Sequence, residues 1–259
     1  MKDALLACDT PLSPTDEWYS QWFNSTYYHI LYQDRDYAEA QFFIDRLIER
    51  LQFTPRHRLL DLACGKGRHA IYLHQRGFEV LGVDLSPQNI AFARQFENER
   101  LQFRVQDMRE VFAPESFDFV LNLFTSFGYF EAAEDDLRAL RAVFAQLKPG
   151  GQLLLDFLNP VRTLAEMKAY ELKNKGSIDF EIRKSFQKGF IIKDICFQDQ
   201  GQAYHFQERV RALDQATFLA YFEAVGFTLR HLWGNYALSA YEAQESERMI
   251  FLVEKPRIC

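Results

Sequence analysis

Asp61-Leu-Ala-Cys-Gly-Lys-Gly67 follows directly on Arg58-Leu-Leu60, and this stretch decides the fold. Residues 58–63 are an apolar run broken only by Asp61 after its first residue, which predicts a buried strand. Gly65 and Gly67 then remove side chains where the backbone must turn tightly and where a ligand can approach it. A helix is predicted around 68–76. Starting near Arg68, it directs free N–H groups at the turn, which favours a carboxylate or phosphate there. Cys64 fits as a small turn residue rather than a nucleophile, because nothing near it in sequence suggests a thiolate partner.

Outward from the turn, short apolar runs alternate with amphipathic stretches. Strands are predicted over 78–85, 101–105, 117–123 and 152–158. Ser86-Pro87 starts a helix, with Ser at the N-cap and Pro in the first turn. Leu137, Leu140, Phe144 and Leu147 mark another, stopping at Lys148-Pro-Gly-Gly151. Such alternation implies a parallel sheet with helices on both faces. Asp84 lies 23 residues after Asp61, and Asp107 a further 23 after it. One strand plus one crossover helix repeats at that interval, so the three acids line one sheet edge. Asn122 and Asp156 follow on the fourth and fifth strands. Open α/β sheets bind ligands outside this edge, where strand order reverses. Asp84 is placed to accept hydrogen bonds from ribose hydroxyls and Asp107 from an adenine amine, with Leu85 and Met108 on the ring faces. Asp156, with Asn159-Pro160 after it, suits a helix cap slightly better than a substrate contact.

These residues resemble class I S-adenosylmethionine-dependent methyltransferases of the small-molecule type. Asp61-x-x-Cys-Gly-x-Gly67 looks like the family's first motif, Val83-Asp84 like its ribose-binding acid, and Gln106-Asp107-Met108 like its adenine contact. Leu147-Lys-Pro-Gly-Gly151 looks like its hairpin into the fifth strand. The likeness covers roughly 55–160 and the antiparallel tail. It implies S-adenosyl-L-methionine as cofactor, S-adenosyl-L-homocysteine as product, and cofactor contacts at Asp61, Ala63, Gly65, Gly67, Asp84, Leu85, Asp107, Met108 and Asn122. Gly65-x-Gly67-x-x-Ala70 with Asp84 also fits a nicotinamide dinucleotide fingerprint. Asp61 before the turn, the third acid Asp107 and the antiparallel end favour the methyltransferase.

The expected fold is therefore α/β: a Rossmann-like, seven-stranded, mostly parallel sheet with an antiparallel end, an N-terminal helical cap and an inserted antiparallel β meander. The domains expected are 1–54 (lead-in and cap), 55–160 (core), 161–212 (meander) and 213–259 (end of the core sheet). The meander is expected as three strands, over 178–184, 189–198 and 203–212. Its exposed edge makes a homodimer through it plausible. A helix over 214–224 ends at Gly226, and strands over 227–233 and 249–254 close the chain.

Near the N-terminus the chain is aromatic. Tyr28, Tyr32 and Arg35 recur at about one helical turn, and Tyr37 to Leu51 follow at helical spacing. In the resembling family an N-terminal helix closes over the cofactor with Tyr near the methyl group. This makes Tyr28, Tyr32 and His29 the catalytic candidates, ahead of Tyr27, with His69 a further base; a hydrophobic face packed on the core explains the tyrosines equally well.

The 259 residues carry a net charge of −6, a composition poorly suited to sequence-independent nucleic-acid binding. Lys168 to Lys188 is interleaved with acids and reads as a solvated face. The fourth strand leads into Asn122-Leu-Phe-Thr125, with no Asn/Asp-Pro-Pro-Tyr-type signature of amino-methylating nucleic-acid enzymes. The four cysteines, Cys8, Cys64, Cys196 and Cys259, lack metal-binding spacing, so no metal is expected and the thiols are expected free. With no signal peptide and no apolar run of membrane length, a cytoplasmic location and no membrane partner are expected. The acceptor expected is a small molecule methylated on N or O, bordered by Phe124 to Phe130. An RNA-modifying methyltransferase and a non-catalytic cofactor-binding protein acting through a partner are the alternatives.

Overall fold

A computed structural model of the chain describes residues 18–33 and 37–257. Arg35, Cys8 and Cys259 lie outside the described residues. The elements run α1 (Trp18–Phe23), α2 (Thr26–Leu31), α3 (Tyr37–Leu51), β1 (Arg58–Leu62), α4 (Arg68–Gln75), β2 (Glu79–Asp84) and α5 (Pro87–Ala93). Next come β3 (Leu101–Val105), β4 (Phe117–Asn122), α6 (Ala133–Gln146), β5 (Leu147–Leu158) and α7 (Pro160–Ala165). Then follow β6 (Tyr170–Lys175), β7 (Ile178–Gln187), β8 (Phe190–Asp199), β9 (Gln202–Arg211), α8 (Gln215–Val225), β10 (Thr228–Trp233) and β11 (Arg248–Glu254). No helix among the described residues is long and apolar enough to cross a membrane.

The chain divides into two compact units. The larger comprises Asp36–Phe127, Ala132–Thr163 and Leu213–Cys259. It holds a seven-stranded sheet in the order β10-β11-β5-β4-β1-β2-β3. Neighbours from β3 to β5 pair in parallel, and β11 runs antiparallel to both β5 and β10. This is the expected mostly parallel sheet with an antiparallel end. Strand order reverses between β1 and β4, which opens the ligand crevice there.

Local chemistry places the helices. The Ser86 hydroxyl accepts from Asn89 N at 3.1 Å and caps α5, with Pro87 in the first turn. The Asp214 carboxylate accepts from Thr217 N at 2.8 Å and starts α8. Gly226, with φ +97°, ends it, and Phe227 N donates to Phe222 O at 2.9 Å. Phe218 and Phe222 of α8 pack on Phe251 at ring-centroid distances of 5.0 and 5.3 Å. All three are buried, so truncating any one to Ala would cost about 3–5 kcal/mol. Phe103 lies against both Gly67 and Gly82: a Cβ built on either would sit 2.6 Å from its ring. These glycines let α4 and β3 close on β2.

The smaller unit comprises Met1–Arg35, Gly128–Glu131 and Leu164–Ala212. Its sheet runs β6-β7-β8-β9, antiparallel throughout. Four strands stand where the sequence suggested three. The missed one, β6, reads Tyr-Glu-Leu-Lys-Asn-Lys and alternates exposed with half-buried residues. It is an edge strand, so little of it enters a core and its apolar signal is weak. Tyr170 and Leu172 stay exposed on it. Residues Thr26–Leu31 form the short helix α2, which Ser25 caps by accepting from Tyr27 N at 3.1 Å. Cys64 is a free, buried thiol.

Candidate functional site

Asp61, one residue before the end of β1, is fully buried, and its Oδ2 accepts from Ala70 N at 3.0 Å, in the first turn of α4. A strand acid thus caps the helix that follows the glycine turn. Between them the backbone turns left-handed at Ala63 (φ +62°), Gly65 (φ +57°) and Gly67 (φ +82°). The two glycines do different work. A Cβ on Gly65 would meet nothing within 4 Å, which leaves open space over the backbone. At Gly67 a Cβ would sit 2.6 Å from the Phe103 ring, so Phe103 alone requires a glycine there.

Asp84 ends β2 beside this turn. Its Oδ2 accepts from Gly65 N and its Oδ1 from Ser86 N, both at 2.8 Å. Cys64 N donates to Val83 O at 2.9 Å, fastening the turn to β2. Burial raises the Asp84 carboxyl above its ordinary range, against the lowering effect of those N–H groups. Asp61 is also raised, to about 7, first by burial and then by the nearby Asp84 charge, while Ala70 N works the other way. Two crowded carboxylates in a dry crevice favour a cationic ligand over an anionic one.

The remaining strand ends continue the edge. Gln106 N donates to Asp84 O at 3.0 Å, which seats the residues after β3 next to β2. Leu85 is exposed, and Met108 half-buried. Asn122 is buried at the end of β4, and its Nδ2 donates to Leu62 O at 3.1 Å and Ser126 O at 3.2 Å. Its side chain therefore staples β1 to the loop after β4, while its Oδ1 is buried without a hydrogen bond.

A methyltransferase domain model matches residues 59–151, from β1 into β5. The Bacillus subtilis protein "Putative methyltransferase YqeM" is 30% identical over 210 residues, covering 77% of this chain and 85% of that one. The chain belongs to the class I S-adenosylmethionine-dependent methyltransferases. Two other relatives match over less of their length. A ubiquinone biosynthesis O-methyltransferase of Xanthomonas campestris is 36% identical over 40% of this chain and 44% of its own. A glycine/sarcosine N-methyltransferase of Aphanothece halophytica is 35% identical over 48% of each. A crystal structure of an S-adenosylmethionine-dependent methyltransferase from Clostridium acetobutylicum superposes with a TM-score of 0.75 at 20% identity, covering 89% of this chain and 96% of that one.

The cofactor of this methyltransferase is S-adenosylmethionine, and the strand ends fit it. The open space over Gly65 admits a ligand against the backbone. Asp84 accepts one backbone N–H on each oxygen and a further bond from the Asn89 side chain, and a carboxylate has roughly four acceptor positions. The carboxylates at Asp61 and Asp84 suit a molecule carrying an ammonium and a sulfonium.

Asp107 departs from the sequence expectation. Arg109 grips it with Nε at 3.1 Å from both oxygens and Nη2 at 2.6 Å from Oδ2, and Arg109 N adds a 2.8 Å bond to Oδ1. Burial works to raise this carboxyl, but Arg109 outweighs it and holds it below its ordinary range. Its acceptor capacity is largely spent on Arg109, a partner that the sequence does not announce. Asp156 is neither a helix cap nor open to a substrate. It is fully buried, and its Oδ1 lies 2.8 Å from Arg248 Nε. Asn159 does the capping, accepting from Val161 N at 3.2 Å. Cys64 is pushed well up by burial, which makes it an unreactive thiol. His69, the second residue of α4, stacks on Phe124 at 5.0 Å with Arg68 Nη2 3.2 Å from its Nε2.

Tyr28, His29 and Tyr32 belong to the smaller unit. Tyr28 sits in an aromatic cluster, with ring centroids 5.6 Å from Trp22, 5.0 Å from Phe23 and 5.1 Å from Tyr32. His29 packs edge-on against Tyr28 at 5.2 Å. The Tyr32 hydroxyl donates to Glu208 Oε1 at 2.7 Å, as does Trp22 Nε1 at 2.7 Å, and Lys193 Nζ donates to Tyr32 Oη. Lys193 also pairs with Glu208 Oε2 at 3.1 Å. Burial lowers the Lys193 ammonium, and that lysine in turn holds Glu208 below its ordinary range against burial.

Proposed function

We propose that this methyltransferase moves the methyl group of S-adenosylmethionine to a nitrogen or oxygen of a small molecule, releasing S-adenosylhomocysteine. The observation that carries the acceptor class is the pair of relatives named above, one acting on glycine and sarcosine nitrogen and one on oxygen in ubiquinone biosynthesis. Asp84 takes the ribose hydroxyls. The Gly65 backbone and Asp61 take the methionine end. Leu85 and Met108 flank the adenine, and Asp107, held in place by Arg109, faces its amine. Ala63, Gly67 and Asn122 shape the turn from behind.

The cofactor supplies a methyl group on a positively charged sulfur, which loses its charge as the bond breaks. The protein then has little covalent work to do; alignment and exclusion of water suffice for a neutral amine. A hydroxyl acceptor needs a base within hydrogen-bond reach. Tyr28, His29 and Tyr32 are the candidates for that role.

The test is methyl transfer from labelled S-adenosylmethionine onto a panel of amino acids, amino sugars, phenols and catechols, read by mass spectrometry. Labelled small-molecule product is expected. Labelled tRNA or rRNA, with no small-molecule product, would overturn the acceptor class.

A further inference from the structure

The loop after β4 is strained in a way that glycine does not relieve. Phe124 and Thr125 are consecutive residues with φ of +58° and +60°. Side chains disfavour this left-handed region, and a β-branched one most of all. Such residues persist only where their surroundings over-determine them.

Those surroundings come from β5, the start of β11 and Tyr236. Asp156 Oδ2 accepts from Phe124 N at 2.8 Å, and Asp156 O accepts from Thr125 N at 3.0 Å. Arg248 bridges the two sides, with Nε 2.8 Å from Asp156 Oδ1 and Nη2 2.8 Å from Thr125 Oγ1. The Tyr236 hydroxyl donates to Asp156 Oδ2 at 3.2 Å. Burial, then the Asp156 charge, raises the Tyr236 phenol, so it remains a donor. A buried ion pair adds little net stability over an apolar filling of the same space. Its effect here is to fix geometry.

The hook so held braces the glycine turn from two sides. The Phe124 ring stacks on His69 at 5.0 Å and 19°, and the Arg68 guanidinium lies 4.9 Å from it. Both residues open α4 directly after Gly67. On the other side Asn122 ties the loop to Leu62, the residue before Ala63.

We propose that Asp156, Arg248 and Tyr236 are positioning residues of the methyl-transfer site. They lock the left-handed Phe124–Thr125 hook, and the hook, through Phe124 and Asn122, holds the Asp61–Gly67 turn in its cofactor-binding shape. The inference rests on reading that turn as the cofactor cradle, which wild-type binding of S-adenosylhomocysteine tests by itself; absence of that binding overturns the cradle, not the bracing.

The experiment compares the full-length wild type, Arg248→Met, and Arg248→Met combined with Thr125→Gly. Hydrogen exchange at the Phe124 and Thr125 amides is measured without cofactor, and affinity for S-adenosylhomocysteine by calorimetry. Arg248→Met is expected to speed exchange at both amides and weaken affinity about tenfold, the size that release of one strained backbone position corresponds to. Adding Thr125→Gly is expected to recover affinity to within about threefold, because glycine adopts positive φ without strain. Wild-type affinity and protection in Arg248→Met, or a loss that glycine does not recover, overturns the proposal. Should Arg248→Met not fold, Thr125→Val removes the hydroxyl that accepts from Arg248 while Thr125→Ser keeps it. Weaker affinity in Val with recovery in Ser is then expected, and equal affinity in the two overturns it.

Discussion

At the end of β1 the chain turns left-handed at Ala63, Gly65 and Gly67; at the end of β4 it does so at Phe124 and Thr125. The first turn meets the steric demand mostly with local composition, two glycines within five residues. The second meets it with contacts from afar: Asp156 is 32 residues from Phe124, and Arg248 is 123 residues from Thr125. Strain relieved by glycine needs no partner and leaves the backbone bare for a ligand. Strain held by a buried ion pair keeps a side chain, here the Phe124 ring, aimed at its neighbour. One sheet edge uses the first device where a ligand must approach and the second where a wall must stand.

The largest effect expected falls on the β1–β2 side. Asp84→Ala should weaken S-adenosylhomocysteine binding about a hundredfold or more, since hydrogen bonds to a charged acceptor are worth about 1.5–3 kcal/mol each. A loss under threefold would move the ribose contact elsewhere. Next, the two glycines of the same turn should separate. Gly67→Ala drives a methyl into Phe103 and should cost about 2–3 kcal/mol in a urea denaturation series, part of which Phe103→Leu restores. Gly65→Ala meets no atom, so its cost should stay near 1 kcal/mol while cofactor affinity falls more steeply. Equal stability losses at the two positions would break the distinction.

The last effect is a pH dependence. Asp61 is raised from 3.8 to about 7 in the folded chain. Between those values the native state keeps a proton that the unfolded chain releases. The stability from this group is therefore complete below about pH 4, declines as pH rises, and levels off above about 7. A cationic cofactor favours the ionised form, so binding should strengthen as pH rises from about 6 to about 8, with proton uptake by the buffer. Asp61→Asn should flatten both trends; a slope that survives that substitution would assign it to another group.

The difference between the two turns also explains what was legible in the sequence. Asp61, Gly65, Gly67 and Asp84 stood out because each announces its role locally, by glycine content or by position at the end of an apolar run. The parallel sheet followed from the alternation of strand and helix patterns, and its antiparallel end from the resemblance. The ion pair of Asp156 with Arg248 has no such signature, because its partners meet only once β5 and β11 pair. Arg109 sits two residues from Asp107 and was visible, but nothing local says that its side chain folds back. Strand β6 was hidden by its polar, edge-strand composition. Tyr28 and Tyr32 were picked out by spacing, and what fixes Tyr32, the carboxylate of Glu208, lies 176 residues away.

The most direct test of the account is calorimetric titration of the full chain with S-adenosylhomocysteine and, in parallel, with NAD. Single-site binding of S-adenosylhomocysteine, lost in Asp84→Ala and absent with NAD, is the predicted result. Binding of NAD without binding of S-adenosylhomocysteine would contradict the assignment of the Asp61–Gly67 turn.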